Sequence, residues 1–139
     1  SPNFKNFQFE NTKIVIDQKI PTLIYTTYNL DSNWKKEIKA NRILLLEPDH
    51  FNKYPISKNV FEFIFKLSNE IEGIQIVTLN FEDLIHIIND KSKVFYKEHP
   101  FSKHFVGNEE PRDWLFDNIE ADGSFFKFWK KGIKEYKLI

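Results

Sequence analysis

Short apolar blocks separated by polar stretches run along most of this chain, and their spacing alternates between a period of two and a period of three to four residues. Pro21 precedes Thr22-Leu23-Ile24-Tyr25-Thr26-Thr27-Tyr28, a β-branched and aromatic run with apolar side chains on both alternating faces, the pattern of a strand covered on two sides. Asn29-Leu30-Asp31-Ser32-Asn33-Trp34 then reads as a loop, because Asn, Asp and Ser side chains compete for backbone hydrogen bonds. A second strand is predicted over Arg42 to Glu47, where Ile43-Leu44-Leu45-Leu46 is too short for an independent helix and is stopped by Pro48-Asp49. Residues 49–55 read as a loop. Ser57 then caps a helix whose Val60, Phe61, Ile64, Leu67 and Ile71 recur at helical spacing, with Gly73 just past its end. Ile74 to Leu79 is a third strand, and Asn80 opens a short helix through Leu84, Ile85 and Ile88. Val94-Phe95-Tyr96 is a fourth strand, ending at Lys97-Glu98-His99-Pro100. Residues 101–114 read as loop, and a last helix is predicted from a cap at Ser124, with Phe125, Phe128, Trp129 and Tyr136 on one stripe.

Strands spaced by helices in this rhythm imply βαβ units. The expected fold is a doubly wound, Rossmann-like α/β domain, with a parallel sheet of about five strands and helices on both faces. The first crossover fits this least well, since between Tyr28 and Arg42 only Trp34 to Ala40 could be helical and Ile38 alone would give it an apolar face. Residues 1–19 are polar with scattered Phe and a β-branched patch at Ile14 to Ile16, and read as an extended linker or arm from a preceding domain. Residues 20–139 then form the α/β domain, with no internal repeat and no low-complexity tract.

Composition narrows the function classes. A chain of 139 residues, 41% of them hydrophobic, is long enough for one domain with a real core. Twenty basic and twenty acidic residues cancel, so no global field draws the chain onto nucleic acid or an anionic membrane. No apolar run approaches the roughly 18 to 20 residues of a membrane helix, and the N-terminus lacks the plan of a signal peptide. The absence of Cys removes disulfides, thiolate nucleophiles and thiolate metal sites, and a cytoplasmic location is the expectation. A start at Ser1-Pro2 without an initiator Met is expected of a piece of a longer polypeptide.

Candidate chemistry is sparse. Glu98, His99 and His104 lie close in sequence, but the interval between the two histidines matches neither the helical pair of zincins nor a finger pattern, so they read as loop histidines and no metal is expected. Asp31 with Glu47 or Asp49 at neighbouring strand ends, and Glu109-Glu110, are the paired carboxylates; the latter pair reads as solvated. There is no glycine-rich phosphate loop and no Gly-x-Ser-x-Gly elbow, so the usual nucleotide-binding and serine-nucleophile enzymes are excluded. The lysines between the aromatics of the last segment read as the wet side of a packed helix rather than a single-strand-binding patch. What remains is positional. Ligands of open parallel sheets gather outside the carboxyl ends of the strands, where this chain carries Asn29, Asp31, Glu47, Asp49, Lys97, Glu98 and His99.

The order of these elements resembles the α/β domain of DNA photolyases and cryptochromes. Tyr25 to Asn33 is similar to that domain's first strand and loop, Arg42-Ile43-Leu44-Leu45-Leu46-Glu47-Pro48-Asp49-His50-Phe51 to its second strand with an acid-Pro ending, and Ser57 to Ile71 to the helix that follows. Gly73 to Leu84 and Val94-Phe95-Tyr96 resemble the next strand, helix start and strand. Tyr96-Lys97-Glu98-His99-Pro100 and Arg112-Asp113-Trp114-Leu115-Phe116 look closest to a bacterial photolyase-related group in which this domain follows the FAD-binding helical domain. The family's loop after the first strand usually carries arginines and a second acid; this chain keeps Asn29, Asp31 and Asn33 without the arginines.

The resemblance implies a non-catalytic module beside a helical domain of the same polypeptide, which holds FAD and meets damaged DNA. It also implies an antenna chromophore, a folate, deazaflavin or second flavin, sought at Asn29, Asp31, Glu98 and His99. Two other classes remain open: a stand-alone interaction module with an exposed aromatic patch, and a small-molecule enzyme using the strand carboxyl ends.

Overall fold

The computed structural model describes residues 14–112. Five strands form one all-parallel sheet: β1 (Thr22–Tyr25), β2 (Asn41–Leu45), β3 (Ile74–Val77), β4 (Val94–Lys97) and β5 (Asn108–Glu110), in the order β3-β2-β1-β4-β5. The chain winds outward from β1 first to one edge and then to the other. The order therefore reverses between β1 and β4, which are hydrogen-bonded neighbours with Leu23 opposite Phe95.

The blocks with apolar residues on both alternating faces are central strands, because each face of the sheet is covered. On one face Ile24, Ile43, Leu45, Val77, Val94 and Tyr96 meet Phe81, Leu84 and Ile88. These last come from or directly after helix α3 (Phe81–Ile87). On the other face Leu23, Tyr25, Leu44 and Leu46 pack against Phe61 of α2 (Lys58–Ser68) and Phe51 of α1 (Pro48–Lys53). The fold is thus a Rossmann-like α/β sheet with helices on both faces, as the βαβ rhythm predicts.

Several boundaries differ from the sequence expectation, each for a local reason. The first strand ends at Tyr25 rather than Tyr28, because Thr26 and Asn29 close a tight turn in which the Asn29 N–H donates to the Thr26 carbonyl at 3.0 Å. The second strand ends at Leu45, short of Glu47. Residues 49–55, expected as loop, contain α1, since Pro48 can begin a helix as well as end a strand. Ser57 caps α2 as predicted, its Oγ accepting from the Val60 N–H, but α2 stops at Ser68 before Ile71. Asn80 stands at the N-cap of α3 but its side chain instead accepts from the Asp49 N–H at 3.2 Å, tying α1 to α3. The third strand stops at Val77, short of Leu79.

The stretch read as loop after Pro100 holds β5. It carries no apolar residue and is held by pairing with β4, which approaches so closely at Gly107 (φ 135°) that a Cβ there would lie 2.8 Å from the Val94 carbonyl. The helix predicted from Ser124 and the aromatic pattern around Phe125 to Tyr136 lie outside the described residues.

The first crossover has no helix. Residues 31–38 are a series of tight turns, with Lys35 in the left-handed region (φ 46°). Arg42, 8% exposed, organises them: Nη1 donates to the Trp34 carbonyl and the Tyr25 hydroxyl, and Nη2 to the carbonyls of Lys35 and Ile38. The guanidinium supplies the donors that a crossover helix would supply from its own backbone.

Residues 14–19, the described part of the expected arm, lie along the domain, and residues 1–13 lie outside the described residues. Gln75 pairs through its amide with both the N–H and the carbonyl of Val15 at 2.9 and 2.8 Å, as a neighbouring strand would. Asn41 accepts from the Asp17 N–H and donates to the Asp17 carbonyl. Ile14 and Ile16 pack against the α3-side core.

Candidate functional site

The carboxyl ends of β1, β2 and β4 bring three loops together. Tyr28 comes from the turn after β1, His50 and Tyr54 from α1 and its end, and His99 and Phe101 from the segment after β4. Tyr28 stacks on His99 with ring centroids 4.2 Å apart and planes at 11°. Its hydroxyl lies 2.9 Å from His50 Nε2. Phe101 leans on His50, Tyr54 and Tyr28 at 4.8, 4.9 and 5.6 Å. These rings are partly in water: Tyr28 is 48% exposed, Tyr54 42% and Phe101 39%. An exposed aromatic patch at the point where strand order reverses is the feature a binding surface leaves behind.

Electrostatics fix the protonation pattern. Burial raises the Tyr28 pKa above the usual phenol range and lowers that of His50, so a neutral phenol meets a neutral imidazole. Burial also lowers the His99 pKa, and the nearby Arg112 charge adds to this, leaving His99 neutral at pH 7. The stack is therefore between two uncharged rings.

Glu47 forms the floor. It is 9% exposed, accepts the Phe81 N–H at 2.8 Å, and receives His104 Nε2 at 2.9 Å from both oxygens. One buried carboxylate thus joins the end of β2, the start of α3 and the β4–β5 connection. A small cavity lies between Thr26, Tyr28, Glu47, His50 and Phe101. An open groove of about 310 Å³ adjoins it through Glu47, His50 and Phe101, with Asp49, Lys53, Tyr54, Asn80, Glu82 and His104 around it.

No family model matches the chain, and neither does any curated protein or any solved structure. What the site does must be argued from its own geometry.

Of the residues sought from sequence, His99 is in the aromatic cluster. Glu98 beside it is held outward by Arg112, whose Nε and Nη2 reach the two carboxylate oxygens at 2.9 and 3.1 Å and keep its carboxyl below the usual range. Asp31 accepts from the Asn33 N–H at 2.8 Å within the crossover turns. Asn29 closes the Thr26 turn through its backbone, and its Nδ2 is buried without a hydrogen-bond partner. Glu110, read as solvated, instead accepts from Trp34 Nε1 at 3.0 Å and pairs with Lys35 Nζ at 3.0 Å. Sequence reasoning did not single out Tyr28, Tyr54 and Phe101. A signal was present in the repeated histidine–aromatic pairing of His50-Phe51, in the helix that follows β2, and His99-Pro100-Phe101, just past β4.

Among the described residues no group of three His, Asp or Glu stands together as a metal site. No helix among them is long and apolar enough to cross a membrane.

Proposed function

We propose that this chain is the α/β domain of a photolyase- or cryptochrome-like flavoprotein of the cytoplasm, a module that supports an FAD-binding helical domain of the same polypeptide and holds a flat heteroaromatic antenna at the β1/β4 switch point. The observation that carries this reading is the neutral Tyr28–His99 stack beside an open groove of a size suited to such a molecule. The parallel order β3-β2-β1-β4-β5 supports it as well, since that topology gathers ligands at this end of the sheet. So does the run of motifs from Tyr25 to Arg112 that resembles this family.

The residues around the groove suit binding better than bond-breaking chemistry. Its floor carboxylate, Glu47, is already engaged by His104 and the Phe81 N–H, and the Tyr28–His50 pair shares one proton between neutral groups. Tyr28 and Phe101 offer π-faces, Glu47 and His104 hold the three loops in register, and His50 orients the phenol. A bound chromophore supplies light absorption, passed on as excitation to the flavin. Damaged DNA is then a partner of the helical domain, and catalysis belongs to the parent protein.

The absorption spectrum of the purified full-length protein tests this. Flavin bands between the near-ultraviolet and the blue are expected, with a second chromophore beside them. Their complete absence overturns the reading; flavin without a second chromophore overturns the antenna and leaves the domain assignment.

A further inference from the structure

The groove that the proposed function invokes also restricts which heteroaromatic can enter, and the restriction follows from charge. Its aromatic walls, Tyr54 and Phe101, accept any flat ring system, and Tyr28 stands in the small cavity that adjoins it. Three carboxylates line it, Glu47, Asp49 and Glu82, against a single permanent cation, Lys53. Burial keeps His50 neutral, and His104 is held against Glu47. Lys53 is also drawn to one wall, its Nζ 5.6 Å from the Tyr54 ring centroid. Among the described residues Asp49 and Glu82 make no ion pair, so both remain hydrogen-bond acceptors for a ligand's N–H groups.

The devices that hold phosphate are missing from this rim. The two described glycines with positive φ are Gly73, after α2, and Gly107, against Val94 before β5. Neither lines the groove, so no glycine-rich turn presents backbone N–H groups there. The helices that border it, α1 and α3, are both short, and carboxylates stand in their first turns: Asp49 in α1, and Glu82 with Asp83 in α3. The Phe81 N–H is already taken by Glu47 and the Asp49 N–H by Asn80. An incoming phosphate would meet like charge and spent donors.

We propose that this site selects an uncharged, phosphate-free heteroaromatic of two or three rings with N–H donors, and discriminates against the phosphorylated form of the same ring system. The inference rests on the groove's being the heteroaromatic site of the proposed function, but not on the parent protein's carrying FAD.

Riboflavin and FMN share one ring and differ by one phosphate, so they isolate the charge. Each is titrated by fluorescence quenching into the full chain at low ionic strength. Riboflavin is expected to bind at least about ten-fold more tightly than FMN, with the gap narrowing as salt screens the carboxylates. Asp49→Asn with Glu82→Gln, both exposed positions, should shrink the gap several-fold while circular dichroism stays unchanged. Equal or tighter binding of FMN overturns the selection, and so does binding of neither flavin. A preference that survives both substitutions and high salt overturns the electrostatic cause. Riboflavin bound selectively by a full-length protein without FAD keeps this inference and removes the flavoprotein reading; FAD present with no riboflavin bound does the reverse.

Discussion

The two ends of the sheet use polar residues in opposite ways. At the amino ends, Asn41, Gln75 and Gln18 act as substitute backbone: their amides pair with main-chain groups of residues 15, 17, 21, 87 and 89 and lace the arm to the domain. At the carboxyl ends, aromatic rings and neutral imidazoles stand half in water around a groove, and one buried carboxylate there, Glu47, is shared among three loops. Satisfied amides specify a path for the chain. Half-exposed rings that stack on one another without being covered leave surface free for something else.

Substitutions at the two ends separate these uses. The largest effect is expected where a buried charge serves only neutral acceptors. Arg42→Met leaves three carbonyls and the Tyr25 hydroxyl without their donor, and should destabilise the domain by about 3 to 5 kcal/mol in urea unfolding. Gly107→Val places a Cβ against the Val94 carbonyl at a positive φ. A loss of about 2 to 3 kcal/mol is expected, with exchange protection falling first at β5. Asn41→Ala removes contacts to Asp17 and Thr22 and should lose about 1 to 2 kcal/mol while ligand binding at the far end persists.

Acid gives a gentler probe. His50 and His99 have folded pKa values below the unfolded one, so the unfolded chain binds more protons and stability must fall as pH drops. Their contribution is fully present above about pH 6.5 and is lost as pH falls toward their lowered folded values. Urea midpoints between pH 7.5 and 5 should show this slope in the wild type, and His50→Gln with His99→Gln should flatten it. Tyr28→Ala is expected to move stability least, within about 0.5 kcal/mol, since a half-exposed ring at a turn contributes little to the core. Loss of the fold in that variant would put Tyr28 on the structural side of the comparison.

The same contrast explains what was legible in the sequence. The central strands and α2 are read correctly in kind because two-sided apolar blocks and a period of three to four with a Ser57 cap are direct images of burial. β5 is not legible, since Asn108-Glu109-Glu110 pairs through its backbone at a sheet edge and has no apolar residue to announce it. The missing crossover helix is visible only as a lack of apolar positions, and the substitute, Arg42, reads as an ordinary strand residue.

At the site, polarity at the strand ends singled out Asn29, Asp31, Glu47, Asp49, Lys97, Glu98 and His99; Glu47 and Asp49 line the groove and His99 stacks on Tyr28 beside it, whereas Asn29, Asp31 and Glu98 are held in a turn, a second turn and the Arg112 ion pair. The rings that line the groove were absorbed into strand and loop readings. Aromatic side chains look alike in sequence whether they fill a core or face a ligand, and topology alone separates the two.

Absorption spectra of full-length wild type and Tyr28→Ala purified side by side decide whether the carboxyl end of this sheet holds a heteroaromatic beside a flavin domain. Flavin bands are expected in both, with a second chromophore present in the wild type and lost from the variant. A wild type without flavin, or a second chromophore that survives loss of the Tyr28 ring, would contradict this reading.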